Sequence, residues 1–261
     1  MELGLRGRAC IVTGASRGIG AAAARALSAE GASVLLVARD ASRLEAVAGE
    51  CERAATIALD VTRADSGERA MAACRERFGS VDVLVNNAGA MRVRPLQELT
   101  DADWREQWEL NVMASLRFMR AAAPLMAEQG WGRIVNVSSS SGKRPSTSNV
   151  AYAVAKSAQL ALSRAYADAY AASGVLVNAI APGPIESPLW TSAGGLADQS
   201  AARKGVDRER ALEEARSKIP LGRFGTEDEV AAVIAFLCSE RASDVAGAAW
   251  SVDGGSVPSI V

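Results

Sequence analysis

Tyr152 and Lys156 stand four residues apart in the stretch SSSGKRPSTSNVAYAVAK, which Ser139 opens. On a helix, that spacing puts the phenol and the ammonium on one face. An ammonium beside a phenol stabilises the phenolate and lets a tyrosine exchange a proton near neutral pH. Ser139 comes after an apolar strand on a loop, where its hydroxyl could hold a substrate oxygen. A serine-rich loop before an ordinary surface helix is the plainer account of the same residues. Coincidence is a weak rival: three tyrosines and four lysines in 261 residues give roughly 0.05 chance pairs at this spacing.

Composition removes most other chemistries. The chain has no histidine, which excludes His-based triads, haem ligation and nearly every catalytic zinc arrangement. Cys10, Cys51, Cys74 and Cys238 are dispersed, so neither a disulfide framework nor a metal site is expected, and free buried thiols in a reducing cytosol are. The net charge of −1 gives no reason to expect nucleic acid or an anionic membrane. At the start, MELGLRGRACIVTG shows no signal-peptide pattern, and no apolar stretch approaches a membrane span, so a cytoplasmic protein is expected. With 49% hydrophobic and 23% charged residues, the chain reads as an ordinary globular protein.

The elements that must position the pair read as alternating strands and helices. The apolar run Ala9–Val12 leads into Thr13-Gly14-Ala15-Ser16-Arg17-Gly18-Ile19-Gly20, and an alanine-rich helical stretch continues to about Glu30. Strand, glycine turn and helix together make a dinucleotide site, with pyrophosphate at the helix N-terminus. Gly14, Ser16, Arg17, Gly18, Ile19 and Gly20 are its candidate contacts. Ser33–Ala38 reads as a second strand, and the residue at its carboxyl end bears on the cofactor. An acid there binds the ribose hydroxyl of NAD, whereas an arginine accommodates the 2′-phosphate of NADP. Arg39 stands there, with Arg17 as a second cation, so NADP(H) is expected over NAD(H). Asp40 is either an acid displaced by one residue or, the better fit, the cap of a helix over Ala41–Arg53.

A third strand over Thr56–Leu59 ends at Asp60-Val61, which either meets adenine or, for Asp60, caps a helix over Ala64–Phe78. Val81–Val85 precedes Asn86-Asn87-Ala88-Gly89, where asparagines can tie neighbouring loops and small residues leave room for a cofactor. The long helical stretch Asp101–Gln129 holds Asn111 among apolar neighbours, as a structural pin or part of a polar relay. Pro124 marks a kink or fits a bend. Arg133–Val137 is the fifth strand, Ala151–Ala171 the helix of the Tyr/Lys pair, and Val175–Ile180 the sixth strand before the rigid turn Pro182-Gly183-Pro184. Leu189–Lys218 is irregular, then charged and helical. Thr226–Leu237 reads as a helix and Ala248–Val252 as a last strand. The pattern predicts a single α/β domain over 1–261 built on one doubly wound parallel sheet, with an insertion at 187–219 that reads as a lid or binding loop.

The ordered set of motifs resembles the short-chain dehydrogenase/reductases of the compact, single-domain type, over essentially the whole chain. TGASRGIG matches that family's TGxxxGxG, Asn86–Gly89 its NNAG and Tyr152/Lys156 its YxxxK. Asn111, Ser139, Pro182-Gly183 and Asp253-Gly254-Gly255 fall in family order. The resemblance implies a seven-stranded Rossmann sheet and ketone/secondary-alcohol chemistry. Tyr152 would be the acid in reduction and the base in oxidation. Lys156 would depress the phenol's pKa and bind the nicotinamide ribose, Ser139 would hold the carbonyl oxygen, and Asn111 would position a water linking Lys156 to solvent. Arg39, Asp60, Val61, Asn87, Ala88, Gly89, Tyr152, Lys156, Pro182, Gly183, Ile185 and Ser187 join the glycine turn as cofactor contacts. Ile185 offers its backbone, and Ser187 stands where many relatives have threonine. A homotetramer or homodimer through the two long helices is also implied.

The broad likeness is to 3-oxoacyl-carrier-protein reductases, with two departures. The positions where those enzymes carry basic residues for the acidic carrier hold Gly130 and Ser173, although Arg133 is close. The Leu189–Lys218 segment is also longer. A ketoreductase of another pathway, an NAD-dependent dehydrogenase of the same family and a non-catalytic dinucleotide sensor are the alternatives. Met91, Leu189, Trp190 and Leu196 either line an apolar substrate pocket or serve as core or lid packing.

Overall fold

The computed structural model describes residues 2–258, except for the side chains of Pro188 and Leu189. Seven parallel strands form one sheet: β1 Ala9–Thr13, β2 Ser33–Ala38, β3 Ala54–Ala58, β4 Val83–Asn86, β5 Gly132–Val137, β6 Val175–Pro182 and β7 Ala249–Val252. Their order is β3-β2-β1-β4-β5-β6-β7. The interior strands are near-continuous apolar runs because helices cover both of their faces. Along β1, Cys10 and Val12 face one core, with α1 Gly18–Ala29, α2 Ala41–Ala48 and α11 Glu227–Cys238. Ala9 and Ile11 face the other, with α3 Ser66–Phe78, α5 Ala114–Glu128 and α7 Val150–Tyr170. The remaining helices are α4 Asp101–Trp108, α6 Ser140–Lys143, α8 Pro188–Thr191, α9 Leu196–Lys204 and α10 Arg208–Arg216.

Strand order reverses between β1 and β4, and in such sheets the crevice at the carboxyl ends of those strands is where ligands bind. The glycine turn leaves β1 there and Asn87–Gly89 leaves β4. Ser139 lies just past β5 and Ile185 just past β6, so the candidate residues converge on one edge although they are scattered along the chain.

Several boundaries differ from the sequence reading. The helix expected over Ala41–Arg53 stops at Ala48, because Ser28 Oγ takes the Glu52 amide at 2.9 Å and Val34 draws Arg53 into pairing with β2. β3 accordingly begins at Ala54. The stretch expected as one helix over Asp101–Gln129 is α4 and α5 joined by a π-helical turn, Glu109–Met113. Such turns are rare and often mark functional sites; this one carries Asn111. Pro124 lies on the exposed side of α5. Cys10, Cys74 and Cys238 are buried, whereas Cys51 is half-buried, and all four are unpaired. Among the described residues, no helix is long and apolar enough to cross a membrane.

Candidate active site

The Tyr/Lys pair is set by close packing between α6 and α7. Gly142 of α6 lies so near the Lys156 backbone that a Cβ would fall 2.9 Å from its carbonyl carbon. Ser157 Oγ donates to Gly142 O at 2.6 Å, and Ser138 Oγ donates to Lys156 O at 2.9 Å. Ser138 is thereby structural. Ser139 Oγ caps α6, accepting from the Ser141 amide at 3.1 Å, which leaves its own proton available. Burial pushes the Tyr152 phenol up, and the Ser139 hydroxyl beside it pulls it partway back. In this geometry the phenol holds its proton at neutral pH.

Lys156 is buried, and loss of solvation pushes its ammonium down to about 7. Its Nζ lies 5.8 Å from the centroid of the Tyr152 ring and donates to Val137 O at 2.8 Å and Gln159 Oε1 at 3.0 Å. The π-helical turn brings Asn111 to the same place. Asn111 Nδ2 donates to Gln107 O at 3.0 Å and Ala90 O at 3.3 Å, while its Oδ1 is buried without a partner. A Cβ on Gly89 would lie 2.8 Å from that oxygen and 3.4 Å from Lys156 Nζ. An orphaned acceptor and an ammonium therefore flank one gap that only glycine leaves open.

The glycine turn is pre-tied to the end of β4. Thr13 Oγ1 accepts the Asn87 and Ala88 amides at 2.9 and 3.0 Å, and Asn87 Nδ2 donates to Thr13 O at 2.9 Å and Gly14 O at 3.3 Å. Asn87 is thus a tie between loops, as the sequence suggested. Gly14 and Gly18 have φ of 66° and 65°, which glycine adopts without strain. A Cβ on Gly20 would collide with Gly14 O and Asn87 Nδ2. Asp40, Thr100, Asp207 and Thr226 cap α2, α4, α10 and α11; α7 lacks a side-chain cap, and so does α1, which has no acid in its first turn. Its free amides fit an anionic pyrophosphate.

Asp40 caps α2, accepting from the Arg43 amide at 3.1 Å and pairing with Arg43 Nε at 3.3 Å. Arg39 and Arg17 are exposed, and among the described residues neither forms an ion pair. Asp60 caps no helix: its carboxylate accepts from Thr62 N and Oγ1 at 3.0 and 2.7 Å. Those bonds, with Arg39 and Arg63 nearby, hold it below the usual carboxylate range. Val61 is buried in the core.

At the end of β6, Gly183 abuts Asp253, whose carboxylate accepts the Gly255 and Val257 amides. Ile185 bridges Gly225 through the flanking Pro184 carbonyl and Glu186 amide, which leaves Ile185's own N–H and C=O facing the other way. Ser187 O ends on Trp190 and Thr191 amides. An open cavity of about 510 Å³ lies beyond Ile185, between Arg223, Glu229 and Val252–Gly255, and not over Tyr152.

Of the apolar pocket candidates among the described residues, Met91 and Leu196 do not join the apolar cluster that takes in Trp190. Trp190 packs against Phe224 with ring centroids 4.9 Å apart and planes tilted by 39°, in a cluster with Ala197, Leu212 and Ile219. Met91 Sδ sits 2.9 Å from Asn149 Nδ2. Leu196 is half-buried at the head of α9, and the Leu189 side chain falls outside the described residues. Sequence reasoning missed Thr13, Gln107, Ser115, Asn149 and Gln159. Neutral polar residues beside a strand or inside a helix look like solvated positions until partners are in place.

A family profile described as "Enoyl-(Acyl carrier protein) reductase" matches residues 14–256. The chain is 35% identical to D-beta-hydroxybutyrate dehydrogenase of Cupriavidus necator, over 97% of this chain and 99% of that one. It is 34% identical to 3-oxoacyl-(acyl-carrier-protein) reductase FabG of Aquifex aeolicus, over 98% and 99%. The structure of L-sorbose reductase from Gluconobacter frateurii, complexed with NADPH and L-sorbose, superposes with a TM-score of 0.93 at 33% identity, covering all of both chains.

Proposed function

The chain is a dehydrogenase/reductase of the short-chain family, and from that premise we propose that it interconverts a ketone and a secondary alcohol with NADP(H). The observation that carries the reading is the convergence of Tyr152, Lys156, Ser139 and the orphaned Asn111 Oδ1 at the carboxyl edge of the sheet. When bound, the nicotinamide supplies or takes up the hydride. Gly14–Gly20 and the uncapped start of α1 would hold its pyrophosphate, with the free backbone of Ile185 and the Ser187 hydroxyl beside the carboxamide.

In reduction, Ser139 Oγ–H donates to the carbonyl oxygen and fixes its position. Tyr152 gives its proton to the oxygen as negative charge builds there. The charged Lys156 makes the resulting phenolate less costly. A water in the gap beside Gly89 would accept from Lys156, donate to Asn111 Oδ1 and carry the replacement proton. Oxidation runs the same groups in reverse.

The unpaired Arg39 and Arg17, with Asp40 committed to its cap, favour the 2′-phosphate of NADP. The NADPH complex of the sorbose reductase agrees with that preference. Delivery by an acidic carrier protein is disfavoured, because Arg133 is buried and spends its guanidinium on Ser239 O and Gly132 O. The exposed Trp108 on α4 and Val154 on α7 supply apolar surface for a dimer or tetramer.

The test is NADPH consumption, with NADH in parallel, over a 3-oxoacyl thioester, a 2-enoyl thioester, hydroxyketones, cyclic diketones and aryl ketones. Turnover of a ketone that falls about a thousandfold in Tyr152→Phe, with NADPH still bound, is the expected result. Tight cofactor binding with no turnover of any ketone or alcohol would sink the reading in favour of a sensor.

A further inference from the structure

Lys156 is held from beneath by a buried arm separate from Tyr152, Ser139 and Asn111. Gln159 is fully buried one turn further along α7, and its Oε1 accepts from Lys156 Nζ at 3.0 Å. Its Nε2 donates to Ser115 Oγ of α5, itself buried, at 2.7 Å. The amide's orientation is fixed by its partners. An ammonium only donates, so the oxygen must face Lys156 and the NH2 must face the serine. With one proton on Val137 O and one on Gln159 Oε1, the third proton of Lys156 remains for the gap shared with Asn111 Oδ1.

We propose that Gln159, anchored by Ser115, is a positioning residue that keeps Lys156 charged and aims its third N–H at the proton relay. The inference rests on the ketone-reductase reading for its kinetic test but not for its structural one. Among the described residues, the titratable group facing Lys156 is Tyr152. The groups facing it from other elements are neutral: the Val137 carbonyl of β5, Gly89 after β4 and Asn111 of the π-helical turn. Burial works against the ammonium, and among the described residues no carboxylate offsets it. The Gln159 oxygen is therefore one of two acceptors that retain the charge.

Removing an acceptor from the charged form lowers the pH at which Lys156 loses its proton. Ketone reduction needs the phenol beside an ammonium, so its alkaline limb moves down. In Gln159→Met, close in shape but lacking the carboxamide, kcat for reduction should match wild type at the acid end. It should fall about tenfold at the alkaline end, with the limb displaced by about one unit and KM little changed. Ser115→Ala should move the limb the same way by less, and Ser115→Thr, which keeps the hydroxyl, should restore it. A constant offset at every pH would mean a merely structural role and would overturn the proposal, as would an unmoved limb.

A second readout needs no turnover. The chain has four lysines, so the side-chain ε-carbon of Lys156 can be followed by NMR in protein with labelled lysine, assigned by its loss in Lys156→Ala. Its midpoint should fall in Gln159→Met. If the midpoint falls while no ketone is ever turned over, the functional reading fails and this inference stands. If ketones turn over and the midpoint does not move, the inference fails alone.

Discussion

The segments that come after β1 and β6 leave the same edge of the sheet, yet different forces hold them. After β1, the turn is bound by half-buried, directional bonds from Thr13 and Asn87, and Gly14 and Gly20 sit where any Cβ would collide with its neighbours. After β6, α8, α9 and α10 enclose a cluster of a few apolar side chains around Trp190 and Phe224. Exposed pairs such as Arg208–Asp198 and Arg216–Glu209 lace the outside. Bonds sheltered from water fix one geometry and lose much when broken. Exposed ion pairs fix little and are readily exchanged. The first construction suits a ligand that never varies, the second a substrate that differs from one relative to the next, and local opening should be cheaper there.

The strongest way to break that contrast is Gly20→Val. Its Cβ would drive into Gly14 O and Asn87 Nδ2, both held by neighbours that cannot yield. Overpacking of this kind costs about 1–3 kcal/mol or more. The urea midpoint should fall clearly and NADPH binding should be lost. A stable variant that still binds NADPH would show that the β1 turn is as adaptable as the β6 segment.

Between the two segments lies Lys156, where function is retained at a cost to stability. Its pKa falls from 10.5 to about 7 because burial penalises the charge. Between those values the unfolded chain binds the extra proton, so this group's contribution to stability rises with pH, by about 1.4 kcal/mol per unit at most. Below about 7 the penalty is fully present. Relative to Lys156→Met, wild type should gain stability from pH 7 towards pH 10, read from urea midpoints at each pH. Parallel curves would mean that the ammonium is not penalised where it sits.

What could be read from sequence divides along the same physical line. Tyr152, Lys156, Ser139 and the glycine turn were legible because reactive or conformationally special residues are rare and their spacing is imposed by covalent geometry. The strands were legible because burial on both faces leaves only apolar residues. The π-helical turn at Asn111 and the early end of α2 were not, since each depends on partners distant in sequence: Ala90 for the first, Ser28 and Val34 for the second. Gln159 and Ser115 were hidden for the same reason. A glutamine inside an alanine-rich helix has no periodic signature, and only the position of Lys156 reveals its use.

Arg39 tests the β1 side at its rim, where the turn meets solvent. It is exposed and, among the described residues, unpaired, so its replacement should leave the fold intact. In Arg39→Asp, loss of a charge-assisted contact worth about 1.5–3 kcal/mol should move the kcat/KM ratio of NADPH to NADH at least about tenfold towards NADH. An unchanged ratio would assign the 2′-phosphate elsewhere and weaken the claim that the β1 side is built for one ligand.

The smallest effect is expected from Arg208→Ala, and its smallness is what it tests. Arg208 pairs with Asp198 Oδ1 at 3.3 Å and also donates to Thr191 O, joining α8, α9 and α10 on their outer side. Both charged side chains are more than a third exposed, so water already solvates them and salt screens them. The loss in global stability should stay below about 1 kcal/mol. NADPH binding should not change, because among the described residues the glycine turn makes no bond to this pair. KM for the ketone should move instead, since the relative placement of α8 and α9 loosens without the link. A fall in stability as large as that of Gly20→Val, or a loss of NADPH binding, would mean that the two segments form one cooperative structure and that the contrast between them is only one of surface exposure.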